Sequence, residues 1–312
     1  MTDAPLPPLL VIAGATATGK TGLAIFLAEA MSREGVAPEI ISADSRQVYR
    51  GLDIGTAKAT AEERRAVPHH GLDLVDPDES FSVADFAAHA RAALGAIARR
   101  GGIALLVGGT GLYLRAVARG IDTDALPSDA ALRERIEAEL SRDGVAAVAE
   151  RLRARAPALA ARVDLRNPRR VARALEIATL RGDVPLPEPR GYTGPSAWIG
   201  LRLDATTHRR RIGDRARAQF DAGLIEEARA LRERFDPSLP AFSAIGYREA
   251  WATLDGTMTR EQAIAEDARR NAAFAKRQAT WFRSEQDIDW LAADPDPQSR
   301  ALSIARRLAE RG

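Results

Sequence analysis

Residues 9–21 read Leu9-Leu10-Val11-Ile12-Ala13-Gly14-Ala15-Thr16-Ala17-Thr18-Gly19-Lys20-Thr21. The opening residues are a short apolar run that meets glycine, the pattern of a buried strand. From Gly14 onward the chain matches G-x-x-x-x-G-K-[ST], a phosphate loop. Beyond it, Leu23, Phe26, Leu27 and Ala30 recur at helical spacing through Arg33. Strand, glycine loop and helix form the context that this motif requires. The glycines let successive N–H groups turn toward phosphate oxygens. The helix start adds roughly half a positive charge. Lys20 adds a full charge, and the Thr21 hydroxyl suits Mg²⁺ as the cofactor. Gly14, Ala15, Thr16, Ala17, Thr18, Gly19, Lys20 and Thr21 are thus expected to cradle a diphosphate or triphosphate.

Strands and helices continue to alternate beyond the loop. Glu39 to Asp44 reads as a second strand. Ser82 opens a helix through about Arg99, with Asp85 as its capping-box partner. Ile103 to Val107 is a third buried run, closed by Gly108-Gly109. This alternation predicts an α/β fold with a parallel, doubly wound sheet. Near Gly120 the pattern changes. Ser128 to Gly182 reads as helices only: one capped by Ser128 and ending before Gly144, then Val145–Ala156 and Pro168–Arg181. A loop rich in Pro and Gly follows, and Trp198 to Leu203 returns to strand. The expected domains are a phosphate-loop α/β core, 1–120 and 196–312, and an all-helical insertion, 121–195. The C-terminal part reads as mainly helical: 207–234 broken at Gly223, 244–254, and 259–285.

Composition bounds the rest. The chain has 312 residues, 46% hydrophobic, 28% charged and 5% aromatic, the balance of a globular protein with a sizeable core. Cysteine is absent, which excludes disulfides, thiolate nucleophiles and zinc–cysteine or iron–sulfur sites. That suits a reducing, cytoplasmic location. Met1 to Pro8 is polar and proline-rich, unlike a secretory signal. No run approaches the ~18 apolar residues of a membrane span. The basic residues are almost all Arg, with Lys20, Lys58 and Lys276 the only lysines. His69-His70 has no evident third partner for a metal. His208-Arg209-Arg210-Arg211 sits at a helix start, where consecutive residues diverge and make no single patch.

Carboxyl ends of strands in such sheets line the ligand crevice. A nucleotide hydrolase or kinase of this fold usually places an Asp after a later strand to hold Mg²⁺. Here Ile103–Val107 runs into Gly108-Gly109-Thr110-Gly111. The carboxylate at a strand end is Asp44, followed by Ser45, Arg46 and Gln47. By position alone Asp44 could be a cap, a Mg²⁺ contact or a general base. Two basic segments stand out. Ala268 to Arg283 carries Arg269, Arg270, Lys276, Arg277 and Arg283 with Phe274, Trp281 and Phe282, a composition that can hold phosphates and stack bases. The helical insertion carries Arg162, Arg166, Arg169, Arg170 and Arg173.

The chain resembles the bacterial tRNA dimethylallyltransferases, also called tRNA isopentenyltransferases. The resemblance is carried by GATATGKT (14–21), ADSRQVYRGLDIGTAK (43–58), PHHGLDLVDP (68–77), FSVADF (81–86), LLVGGTGLYLRA (105–116), NPRRVARALE (167–176), AIGYREAW (244–251) and KRQATWFR (276–283). These motifs run in family order over nearly the whole chain. Ala15 stands where the family usually has Pro, and Thr18 where it usually has Ser. No cysteine is available for the zinc finger of the eukaryotic relatives. The resemblance implies transfer of a dimethylallyl group from dimethylallyl diphosphate to N6 of the adenosine 3′ of the tRNA anticodon (position 37). It implies a catalytic set of Asp44 as base with Lys20, Thr21 and Arg248. It places Asp44, Ser45, Arg46, Gln47, Thr110, Arg133, Arg169, Arg170, Val171, Ala172, Arg173, Lys276 and Arg277 against tRNA. A monomer working on the anticodon stem-loop is the expected assembly. A phosphate-loop kinase or NTPase, or a non-catalytic RNA-binding protein, are the competing readings.

Overall fold

The computed structural model describes residues 6–123, 126–185 and 187–311. The chain divides into two compact units: 1–120 with 191–312, and 121–190. The first unit begins with β1 (Leu9–Gly14), α1 (Lys20–Arg33), β2 (Pro38–Ser42), α2 (Ala61–Ala66), β3 (His69–His70), α3 (Val83–Arg99), β4 (Ile103–Gly108) and α4 (Gly111–Ala118). The second holds α5 (Ala130–Arg155), α6 (Pro157–Ala160) and α7 (Pro168–Arg181). The first resumes with β5 (Ser196–Arg202), α8 (Ala205–Asp221), α9 (Leu224–Arg232), a 3-10 turn (Pro240–Ser243), α10 (Tyr247–Leu254), α11 (Arg260–Phe282), β6 (Ile288–Ala292) and α12 (Gln298–Ala309).

The strands form one parallel sheet in the order β3-β2-β4-β1-β5-β6. β1 is buried along its whole length, as its continuous apolar run requires. Leu9, Val11 and Ala13 face a core shared with Phe86, Tyr247 and Phe282, on the side of α3, α4 and α8–α11. Leu10 and Ile12 face the opposite core, against Leu27 and Met31 of α1 and Ile304 of α12. α1 therefore leaves β1 on one face, while α4 leaves neighbouring β4 on the other. That divergence opens a crevice at the carboxyl ends of β1 and β4.

Several elements differ from expectation. The second strand ends at Ser42, so Asp44 lies just past it. Asp129, not Ser128, caps α5 by accepting the Leu132 N–H. α5 bends at Gly144 (φ 79°) and continues to Arg155. The helical unit ends at Arg190 rather than at 195. Residues 191–195 belong with the sheet: the Gly191 N–H bonds the Arg119 carbonyl, the Pro195 carbonyl accepts from Leu9, and the Tyr192 hydroxyl donates to the Pro7 carbonyl. β6 and α12 lie outside the elements expected from the sequence, although Ala301, Ile304, Ala305 and Leu308 recur at helical spacing in α12.

Candidate active site at the phosphate loop

The loop from Gly14 to Thr21 curls over the end of β1 and opens a cleft of about 350 Å³. Gly19 is left-handed (φ 91°), which lets the chain turn straight into α1. The Thr18 hydroxyl and the Lys20 ammonium both donate to the Ala15 carbonyl, at 2.9 and 2.8 Å. Gln278 of α11 fastens the loop to β4: its Oε1 accepts the Thr16 N–H (2.8 Å) and its Nε2 donates to the Gly109 carbonyl (3.0 Å). A side chain at 109 would collide with Gln278, since a Cβ there would lie 2.3 Å from Nε2.

α8 forms the facing wall. Arg215 donates to the Thr16 hydroxyl (2.8 Å), and His208 Nε2 donates to the Thr16 carbonyl (2.8 Å). Arg211, Asp214 and Arg215 line the cleft with Ala17, Gly19, Lys20 and Thr21. Three cations thus converge on one small volume. Burial and then the neighbouring Arg215 push the Lys20 amine down to about 8, partly offset by Asp44. Burial also lowers Arg215, opposed by Asp44 and Asp267. An anion entering the cleft would favour the charged forms of Lys20 and Arg215.

The run 208–211 reads as diverging residues, and Arg215 lies beyond it, so this wall is not evident from consecutive residues. Only Arg209 and Arg210 are exposed. Residues 208, 211, 215 and 219 share one helical face, and that spacing was the available signal.

Asp44 sits partly buried at the crevice, its Oδ1 accepting the Arg46 N–H at 2.8 Å. The Thr110 hydroxyl accepts the Ser45 N–H at 3.0 Å, joining the ends of β2 and β4. Arg46 reaches the Pro240 carbonyl. Gln47 is engaged at both ends: Oε1 accepts the Ser42 hydroxyl (2.7 Å), and Nε2 donates to the Thr56 carbonyl (3.1 Å). The loop after it is braced. Glu227 accepts the N–H groups of Asp53, Ile54 and Gly55 and the Tyr247 hydroxyl. Gln219 donates to the carbonyls of Ile54 and Gly55. Lys58, 1% exposed, bonds the Tyr49 carbonyl, Asp53 and Asp73.

The remaining expected residues are more dispersed. Arg248 is exposed on α10, outside the cleft lining. Lys276 and Arg277 are exposed on α11. Of the three aromatic residues of that segment, Phe274 stays partly open with the Arg277 guanidinium over its ring (5.6 Å), while the other two are packed inward. Phe282 is fully buried in the core, and Trp281 packs against Gly111 beneath the Arg115 guanidinium (4.6 Å). Arg269 pairs with Glu266 and Arg270 with Glu249. In the helical unit Arg169 and Arg170 are exposed, while Arg133 and Arg173 both pair with Glu176. Val171 and Ala172 point into that unit's core, so RNA contact from their side chains is ruled out. His70 pairs with Glu39, and His69 Nδ1 donates to the Val67 carbonyl. Among the described residues no cluster of His, Cys, Asp and Glu could hold a metal by itself.

Comparison with known proteins places this scaffold. A family profile described as IPP transferase matches residues 47–285. A tRNA dimethylallyltransferase of Anaeromyxobacter dehalogenans is 45% identical over 96% of this chain and 99% of its own length. One from Symbiobacterium thermophilum is 43% identical over 96% and 94%. The crystal structure of a tRNA isopentenylpyrophosphate transferase from Bacillus halodurans superposes with a TM-score of 0.69 at 39% identity, covering 97% of this chain and 96% of that one. A eukaryotic dimethylallyltransferase acting on tRNA gives 0.76 at 26% identity, covering 98% and 80%. With that extent of identity, on a phosphate-loop sheet whose cleft gathers Lys20, Arg211 and Arg215, the chain belongs to the IPP transferase family, the tRNA dimethylallyltransferases.

Proposed function

We propose that the chain transfers a dimethylallyl group from dimethylallyl diphosphate to N6 of the adenosine 3′ of the anticodon in tRNA. The observation that carries this is the pairing of a three-cation cleft with a carboxylate at the crevice, beside a β4 end that offers Gly108-Gly109-Thr110 and no acid. The loop amides, Lys20 and Arg215 hold the diphosphate. As the carbon–oxygen bond to diphosphate breaks, the N6–carbon bond forms, the N6 proton passes to Asp44, and diphosphate leaves. Lys20 and Arg215 favour the negative charge that grows on the leaving group. Asp44 supplies general-base help of roughly 10²–10⁴ in rate. Water hydrolysis needs no machinery of its own here.

Thr21 and Asp214 line the cleft with oxygen donors, which fit a hard cation that binds chiefly through substrate phosphates. Mg²⁺ held at Thr21 would add positive charge against the leaving group.

The target base must leave its stack to reach Asp44. In this reading Ser45, Arg46, Gln47, Thr110 and Arg248 surround the acceptor end. Arg169, Arg170, Lys276 and Arg277 are exposed and can take backbone phosphates. The helical unit 121–190 grips the anticodon stem-loop, as a single chain in the cytoplasm. Incubation with unmodified tRNA, dimethylallyl diphosphate and Mg²⁺, followed by nuclease mapping and mass spectrometry, tests it. One adenosine beside the anticodon should gain a five-carbon unit. Prenylation elsewhere in the tRNA would overturn the assignment of the acceptor.

A further inference from the structure

Glu176 of α7 is a fully buried carboxylate in the helical unit, and its partners are two arginines that remain partly open to solvent. Its Oε1 accepts the Asp129 N–H at 2.9 Å. Arg133 Nη2 donates to both of its oxygens at 3.1 Å, and Nε lies 3.3 Å from Oε2. Arg173 Nη1 donates to Oε2 at 2.6 Å. A carboxylate offers about four acceptor sites. All are used, so this group is satisfied without water. Arg173 is further fixed by the carbonyls of Pro127 and Leu126, and Arg133 by the Ser128 hydroxyl. The two guanidiniums and the Asp129 amide hold the Glu176 carboxyl below the usual carboxylate range against the cost of its burial.

The cluster keeps an excess of one positive charge. The Arg133 and Arg173 side chains are 44% and 34% exposed. Among the described residues, Arg133 Nη1 and Arg173 Nε meet no acceptor, so each fork presents an open edge. An arginine held from behind by a carboxylate has already lost its rotamer freedom, and binding through its outer edge then costs less. Planar forks of this kind suit phosphate. Arg169 and Arg170, four and three residues before Arg173 on the same helix, extend the basic edge.

We propose that Glu176 is a positioning residue for RNA binding: without touching RNA, it holds Arg133 and Arg173 side by side so that their open edges take backbone phosphate. This rests on the reading that the chain binds tRNA.

The test combines tRNA affinity over a range of salt with steady-state kinetics, for Glu176→Gln and Arg133→Lys. Gln keeps the shape but turns an N–H₂ toward the guanidiniums, and Lys keeps the charge but loses the fork. Each should weaken tRNA binding about tenfold, seen as a higher KM for tRNA, with kcat at saturating tRNA moving much less. In Glu176→Gln the slope of log K against log[salt] should flatten by about one. The double variant should lose less than the two single losses combined, since both act on one fork. If Glu176→Gln lowers the melting temperature while tRNA affinity and salt slope stay at wild-type values, the role is structural and the proposal fails. Should Glu176→Gln not fold, unchanged affinity in Arg133→Lys overturns it equally. If the wild-type protein binds no tRNA at all, the functional reading fails with it. If wild type binds and Arg170→Ala weakens binding while both fork variants do not, only the fork is wrong.

Discussion

Lys20 lies where burial, Arg215 and Asp44 compete for its proton. With its amine at about 8 against 10.5 in the unfolded chain, the unfolded state binds more protons between those values. Its share of folding stability therefore rises as pH climbs through that window. Anion binding runs the other way, because the ammonium is the form that attracts phosphate. Affinity for inorganic diphosphate should thus fall as pH rises past about 8, and Lys20→Met should bind weakly with that step gone. Isothermal titration across pH 7–9 reads both. Asp44→Asn keeps the shape at the crevice and removes the carboxylate proposed as base. Single-turnover prenyl transfer should slow by roughly 10²–10⁴ while tRNA affinity holds. A near-normal rate would take Asp44 out of this role.

At the scale of elements, Gln278 joins the phosphate loop, β4 and α11. Gln278→Leu strands the buried Thr16 N–H and Gly109 carbonyl, each costing about 1–3 kcal/mol. Denaturant unfolding should show a loss of about 2–6 kcal/mol. Donor affinity should fall with it, because the loop loses its tie to the sheet. The loop itself was legible: strand, glycines, lysine and helix announce it in adjacent residues. Gln278 was not, because a contact between residues 16 and 278 leaves no local pattern. The α8 wall was half-legible. Its basic run is visible in the sequence, but the face turned to the phosphate loop is 208, 211 and 215, readable only at a stride of three to four. Strand β6, Ile288–Ala292, is only five residues long and lies at the sheet edge between Asp287 and Asp294, which masks it as loop. Phe282 and Trp281 looked like base-stacking groups beside arginines. Their burial is decided by how α11 packs on the sheet and α4, which spacing alone does not reveal.

Across the whole molecule, the net charge of only +2 hides how the cations are spread. Many arginines are consumed in ion pairs, such as Arg270 with Glu249 and Arg306 with Glu34. Among the exposed cations, Arg169, Arg170, Lys276 and Arg277 lie on α7 and α11. tRNA affinity should consequently fall steeply with salt, with a log–log slope of a few units. Arg170→Ala should flatten it by about one. A flat response in the wild-type protein would mean that these are only solvated faces.

In the proposed function the phosphate loop serves a prenyl diphosphate rather than a nucleotide. Nothing in Gly14–Thr21 tells the two apart. The difference lies in the β4 end without an acid and in Asp44 across the crevice. Prenyl transfer to tRNA and ATP turnover, followed side by side on one protein preparation with Mg²⁺, test this most directly. Diphosphate release should require both tRNA and dimethylallyl diphosphate and be matched by prenylated adenosine, with ATP at best a weak competitor. Robust ATP hydrolysis without tRNA, and no prenyl group transferred, would contradict it.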